Sequence, residues 1–425
     1  MCELRWQCLP LHECMERIID YRGKTPPKTT SGIPLITAKI IKNGTIAEAN
    51  EFISPAIYDK WMTRGFPLTG DIVMTTEAPL GEVAQISDPK IALAQRVIVL
   101  RGKKNLLDNL FLKYLLLTPF VKDQLFSRAT GTTVLGIKQS ELQKIILPLP
   151  LVAEQQAIAT ILGSLDDKID LNRRMNETLE AMARAIFKDW FVDFGPTRAK
   201  MEGRAPYLAQ EIWDLFPDAL DDEGKPAGWQ FGVLGDIATQ VGQTVSPDSL
   251  PPKTPYIGLE HMPRRSIALD TWEGAGKVTS EKLAFKRGDF LFGKLRPYFH
   301  KVGIAPLDGI CSTDIMVLNS RFPEASAFVI SCISAKDFVN FTDRTSDGTK
   351  MPRTSWGRME KYEICNPGCH GLMAFGQATA SFFTRIIANV NESRTLAQTR
   401  DFLLPKLMSG EIRVKDAEKA VEQAL

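Results

Sequence analysis

Between Ile158 and Trp190 the chain repeats an apolar pattern at alternating steps of four and three residues. The positions are Ile158, Leu162, Leu165, Ile169, Asn172, Asn176, Leu179, Ala183, Ile186 and Trp190. Such a heptad seam predicts one long helix with a stripe that must face another helix, and its centre is polar, at Asn172 and Asn176. The seam returns 217 residues later as Phe375, Thr379, Phe382, Ile386, Asn389, Ser393, Leu396, Arg400, Leu403 and Leu407, again with a polar middle, Asn389 and Ser393. At the α-helical rise, helices over Glu154–Phe191 and Phe375–Met408 would measure about 57 Å and about 50 Å. Neither can bury its stripe alone, so the economical arrangement packs one on the other, and the long path between them allows an antiparallel pair. Asn172 and Asn176 would then meet Asn389 and Ser393, and a polar layer of this kind fixes helix register at a cost in stability. Pro405 is expected to kink or end the second helix.

The repeat is not confined to the helices. Trp6-Gln7 with Leu11 echoes Trp229-Gln230 with Leu234, Gly70-Asp71 echoes Gly288-Asp289, Pro79 echoes Pro297, Val99-Leu100 echoes Val317-Leu318, and Gly131-Thr132 echoes Gly348-Thr349. Short apolar runs between Gly and Pro breaks predict strands near Asp71–Thr75, Arg96–Leu100, Asp289–Phe292 and Asp314–Leu318, with helical stretches over Leu106–Phe126 and Ala325–Phe341. The fold class that follows is α+β: two similar mixed modules separated by two long antiparallel coiled-coil helices, related by a pseudo-twofold internal repeat. The divisions are residues 1–150 for the first module, 151–195 for the first helical region and 196–228 for a Gly/Pro-rich linker. Residues 229–370 form the second module, 371–413 the second helical region and 414–425 a tail.

Composition narrows the class without deciding it. With 425 residues there is room for two cores, and 24% charged against 44% apolar residues exclude a disordered or fibrous chain. No apolar run approaches the roughly 20 residues that cross a bilayer, so no membrane partner is expected and the chain is read as cytoplasmic. Seven cysteines, an odd number without framework spacing, suit reduced thiols. Neither Cys2, His12 and Cys14 nor Cys365, Cys369 and His370 forms a paired Cys-x-x-Cys set, and no metal is expected. A net charge of +2 leaves nucleic acid open as a partner, since local basic clusters matter more than the total.

Catalytic motifs are missing. No Asn-Pro-Pro-aromatic methyltransferase motif occurs, and Asn366-Pro367-Gly368 reads as a turn. Gly276-Lys277 is followed by Val278 and preceded five positions earlier by Thr271, which breaks the P-loop pattern. Pro217-Asp218 with Glu223 and Lys225 superficially resembles a nuclease metal site but lies in the linker at too short a spacing. Two modules on a fixed spacer form a ruler. The natural object to measure is DNA, whose major groove recurs every ~34 Å; the rival reading is a scaffold holding two protein partners apart.

The run Pro148-Leu149-Pro150-Leu151-Val152-Ala153-Glu154-Gln155-Gln156-Ala157-Ile158, leading into LGSLDDKIDLNRRMNETLEAMARAIFKDWFVDF, resembles the central conserved region of the specificity subunits of type I restriction-modification enzymes. Arg22-Gly23-Lys24-Thr25-Pro26-Pro27-Lys28 and Leu404-Pro405-Lys406-Leu407-Met408-Ser409-Gly410-Glu411-Ile412 are similar to family patterns at the module entrance and chain end. The resemblance implies two target recognition domains, each reading one half of a bipartite site in double-stranded DNA, with the helices setting the gap. It further implies a subunit without chemistry or cofactor of its own. Two modification subunits would dock on it and methylate adenine with S-adenosylmethionine, and two restriction subunits would use ATP and Mg2+. The second copy, CNPGCHGLMAFGQATASFF, lacks the Pro-Leu-Pro and Glu-Gln-Gln pattern, so the two helices need not offer equal docking surfaces.

Phosphate contacts supply affinity and base-edge contacts specificity, which directs attention to loop residues able to do either. In the first module these are Arg22, Lys24, Thr25, Lys28, Thr75, Thr76, Arg128, Thr130, Gly131, Thr132 and Thr133. The second module offers Gln243, Thr244, Lys294, Arg296, Arg344, Gly348, Thr349, Lys350 and Arg353.

Overall fold

The computed structural model describes residues 6–21, 25–42, 44–246, 250–348 and 350–422. It divides into two compact units, Met1–Lys168 with Leu396–Leu425, and Ile169–Thr395. The first long helix spans Val152–Phe191 and the second Gly368–Ser409, so each contributes to both units.

The first unit is built on a four-stranded antiparallel sheet in the order Met15–Asp20, Val97–Gly102, Ile72–Thr76, Leu80–Gln85. Its two inner strands are buried on both faces, which is why they read as continuous apolar runs rather than alternating ones. A smaller sheet has Ile33–Ile36 at its centre, antiparallel to Phe52–Ile53 and parallel to Ala92–Leu93. The second unit repeats this plan. Ala238–Val241, Ile315–Ser320, Phe290–Gly293 and Val302–Ile304 form the main sheet. Pro255–Ile257 pairs antiparallel with Glu273–Gly274 and parallel with Gly309–Cys311 in a second sheet, which Lys282–Phe285 and Thr244–Val245 extend.

The echo between Gly70-Asp71 and Gly288-Asp289 has a structural cause. Both glycines enter a central strand in the left-handed region, at φ of 89° and 91°. Each aspartate then closes the turn by accepting a backbone N–H, from Leu68 or from Lys286, at 2.8 Å in both cases. A two-stranded ladder closes each module: Gln7–Pro10 pairs with Ile146–Leu149, and Gln230–Val233 with Glu363–Asn366. Each ladder ends just before a long helix begins.

Within the second unit the helices run antiparallel. Asn172 Nδ2 donates to Ser393 Oγ (3.2 Å) and Glu392 Oε2 (2.8 Å), Asn389 Nδ2 donates to Asn176 Oδ1 (2.8 Å), and Trp190 meets Phe375 edge-on at 5.9 Å. Within the first unit Leu162, Leu165, Leu403 and Leu407 are buried, and Arg400 Nη1 donates to Asp166 Oδ1 at 2.7 Å.

Three expectations change. The second helix does not stop at Pro405 but runs on to Ser409. Pro405 and Asp401, whose carbonyl the missing N–H would have met, are on exposed positions, while buried Leu403 and Leu407 hold the inner face. The stretches Leu106–Phe126 and Ala325–Phe341 are each two helices: Asn109–Leu117 and Pro119–Ser127, then Ser326–Ile333 and Lys336–Arg344. Thr118 makes the first break, its hydroxyl capping Val121 N–H ahead of Pro119. Finally, 196–228 is packed rather than a free linker. It takes up all but the first residue of the helix Gly195–Met201 and buries Trp213 and Phe216, the latter edge-on against Trp190 at 5.3 Å. Among the described residues no helix is long and apolar enough to cross a membrane, and no cluster of three or more His, Cys, Asp or Glu could hold a metal.

Candidate nucleic-acid interface

In each unit a loop is fastened to the end of the central strand. In the first, Thr130 and Gly136 exchange backbone hydrogen bonds at 2.8 and 2.9 Å, and Ile137 N–H donates to Thr76 O at 3.1 Å. In the second, Asp347 and Arg353 exchange two at 2.9 Å, Arg296 N–H donates to Pro352 O at 2.7 Å and Thr354 N–H to Lys294 O at 3.0 Å. Gly131 has φ 125°, and a Cβ there would fall 2.1 Å from Val134 O; Gly348 has φ 87°. At Gly131 the loop is too tight for another residue, and at Gly348 the left-handed backbone disfavours one. Thr130, Gly131, Thr132, Thr133, Gly348 and Lys350 are all exposed. So are apolar residues at both tips that the sequence reading passed over: Val134 and Leu135 in one, Met351 in the other. Polar donors beside a small apolar surface can address base edges and thymine methyl groups together.

The remaining candidates scatter. Arg22, Lys24 and Thr349 lie outside the described residues. Thr25 is exposed and its hydroxyl donates to Gln95 Oε1 at 3.4 Å, while Lys28 is tied to Glu51 at 2.8 Å. Thr75 and Thr76 are corrected: both are buried, being the last residues of the central strand Ile72–Thr76. The Thr75 hydroxyl is occupied by Glu82 N–H at 2.9 Å, so neither residue can touch DNA in this fold, and exposure begins only at Glu77. Arg128 is half-buried beside the first loop. Gln243 and Thr244 are exposed but belong to the second sheet, where Gln243 O accepts from Ala284 N–H at 2.8 Å. Lys294, Arg296 and Arg353 come together around the second loop, although Arg353 is partly neutralised by Asp314 at 3.0 Å. Arg344, exposed, closes the helix Lys336–Arg344 and donates to Asn340 O at 3.2 Å.

Comparison with known proteins bears on both modules. Residues 18–181 match the family model for the type I restriction modification DNA specificity domain. The chain is 26% identical over 405 residues to the type I restriction enzyme MjaIX specificity subunit of Methanocaldococcus jannaschii, covering 90% of this chain and 88% of that one. Over 374 residues it is 24% identical to the type I restriction enzyme HindI specificity subunit of Haemophilus influenzae, covering 75% and 81%. Over residues 18–181, and over most of its length against these relatives, the chain is similar to the specificity subunits of type I restriction-modification systems. The crystal structure of such a subunit from M. genitalium shares its fold, with a TM-score of 0.55 at 16% identity over 95% of this chain and 96% of that one.

A specificity subunit is a recognition chain, not a catalytic one, and the near-motifs have structural work instead. Asn366 Oδ1 accepts from Gly368 N–H at 2.9 Å, turning the last strand of the second module into the second long helix. Asp221 and Glu223 both engage Lys225. Burial pushes the Cys311 and Cys332 thiols up to about 12, so they stay protonated and unreactive. Gln155, part of the run that carries the family likeness, is wholly buried. It accepts from Asp108 N–H and donates to the carbonyls of Leu106 and Pro150, each at 2.9 Å. It pins the first helix to its module, and Leu372, 217 positions later, fills the corresponding place with an apolar side chain.

Proposed function

We propose that this specificity subunit selects a bipartite DNA sequence, each module reading one half and the paired helices setting the distance between them. The observation that carries this reading is the recurrence of one exposed, glycine-dependent loop on the same strand end in both modules, Thr130–Gly136 and Asp347–Arg353. Different side chains fill equivalent places, Thr133 in the first loop and Lys350 in the second, as expected of twin readers with unlike half-sites. The polar layer of Asn172, Asn176, Asn389 and Ser393 supports a fixed spacing, because sliding the helices would leave buried amides unpaired. In the same reading two modification subunits dock on the helical region and methylate adenine with S-adenosylmethionine. Two restriction subunits join through them and supply the chemistry that needs ATP and Mg2+, all in the cytoplasm.

The test is a selection from random duplexes by the chain co-purified with a modification subunit. The expected result is one split sequence with a constant gap, bound at least a thousandfold better than scrambled DNA, on the order of the preference of specific DNA-binding proteins. Equal binding to every duplex at moderate salt would overturn the reading.

A further inference from the structure

The turn that fastens the second loop has another side. Arg265, Arg296 and His300 all sit in the left-handed region, at φ of 61°, 52° and 53°. Arg265 N–H donates to His300 O at 2.8 Å, so two of these residues share one spot. Left-handed backbone disfavours any residue with a Cβ, and outliers gathered at one place point to side chains held there for a use.

Beside them lies a cavity of about 390 Å3 lined by Arg184, Arg265, Lys336, His300, Tyr298 and Asn340, with no carboxylate in its wall. Arg184 shares Glu180 at 3.5 Å, but Arg265 and Lys336 have no carboxylate partner among the described residues. Lys336 opens the helix Lys336–Arg344, whose first N–H groups receive no side-chain cap from Ala335. His300 Nε2 lies 2.9 Å from Ser334 O. Burial, with Arg184 and Arg265 nearby, pushes its pKa below the ordinary histidine value.

We propose that this cavity is a phosphate pocket for the DNA backbone, in which Arg184, Arg265 and Lys336 hold phosphodiester oxygens with Tyr298 and Asn340 as neutral donors. The proposal rests on the reading of the loops as DNA contacts. Arg296, at one end of the turn, donates to the loop at Pro352 O, and His300, at the other end, lines the pocket. A duplex read by the loop therefore carries its backbone past the cations, and phosphate contacts of this sort position a protein without reading sequence. The positions 217 residues before Lys336 and Asn340 are Pro119 and Asp123, so the first module repeats neither the cation nor the neutral donor and the pocket grips one half-site only.

Arg265→Gly and Lys336→Ala, separately and together, test this in the full chain by fluorescence anisotropy with labelled duplexes over a salt series. Each lost phosphate contact should make the log–log salt slope shallower by about 0.9. The double variant should therefore lose roughly tenfold of the salt sensitivity seen between 50 and 200 mM salt. Affinity should fall equally on preferred and scrambled duplexes, while Arg265→Gly melts no lower than the parent because glycine is at ease in the left-handed region. An unchanged slope and affinity in the double variant would overturn the pocket. So would inorganic pyrophosphate that raises the melting temperature of the parent alone while the slope on DNA stays the same in all variants, since the site would then take a small anion. A parent that prefers no sequence removes the specificity reading but still allows the slopes to be compared; an unchanged slope in a parent that does prefer one removes only this pocket.

Discussion

Asp166, on the first long helix, is the residue whose removal should weaken the first unit most selectively. Its Oδ2 accepts from Lys113 Nζ at 2.8 Å and Tyr114 Oη at 2.7 Å, and its Oδ1 from Arg400 Nη1 at 2.7 Å. Lys113 is only 9% exposed at its side chain, so water can do little to replace this partner. Burial alone would raise the Asp166 carboxyl pKa, but Lys113 and Arg400 outweigh it and hold the group below the usual carboxylate range. Asp166→Ala leaves the buried Lys113 ammonium and the Tyr114 hydroxyl without their acceptor and takes one of two carboxylates from Arg400, which typically costs about 3–5 kcal/mol. In a unit of about 200 residues each kcal/mol shifts melting by about 2–4 °C, so a fall of about 6–20 °C is expected. Asp401 supplies the control, because it binds the same Arg400 at 2.8 Å from a side chain that is 65% exposed. Asp401→Ala should cost at most about 1 kcal/mol. Thermal melting of the full chain reads the difference, with the lower transition followed if the two units separate. If Asp166→Ala melts no lower than Asp401→Ala, the buried network has no energetic role and the reasoning fails. The pH dependence has a fixed sign. A lowered folded pKa gives stability that is full above the unfolded value of about 3.9 and is lost as pH falls through the folded pKa. Acid melting of Asp166→Asn should therefore be flatter than that of the parent below about pH 4.

Two further outcomes follow from the geometry. Replacing both Asn172 and Asn389 by Leu removes amides whose Oδ1 atoms are buried without a partner, so melting should hold or rise, while discrimination between gap lengths in a duplex series should relax; an unchanged gap preference would remove their role in register. Thr75→Val removes the buried hydroxyl that accepts from Glu82 N–H and should destabilise by about 1–3 kcal/mol without changing which duplex is preferred, whereas altered preference would return Thr75 to the DNA surface.

The long helices and the repeat were legible because periodicity needs no tertiary information. A stripe at heptad spacing has few ways to be buried, and its polar interruption recurs at Asn172 and Asn389. Breaks inside helices were harder to read. Thr118-Pro119 carries a capping signal, but the apolar run on either side conceals it, and Ala335 precedes the helix Lys336–Arg344 without any capping side chain. Thr75 and Thr76 were misplaced because threonine serves a loop and a buried strand equally well, and the choice depends on a partner, Glu82, fixed only by the sheet. The segment 196–228 shows the same limit: its glycines and prolines signal turns, yet Trp213 and Phe216 bury themselves in the second unit. The cationic cavity was invisible for a different reason. Arg184, Arg265 and Lys336 lie far apart along the chain, and no spacing rule connects a helix, a strained turn and a helix start.

The ladder that pairs Gln7–Pro10 with Ile146–Leu149 makes the two ends of the first module neighbours, and Gln230–Val233 with Glu363–Asn366 does the same for the second. A cassette hemmed in this way can be exchanged for another of different length and sequence, provided the incoming piece brings the same short seam. The rods would keep their grip on each other while the address changed, so a lineage could acquire new targets by trading single modules rather than rebuilding the whole polypeptide.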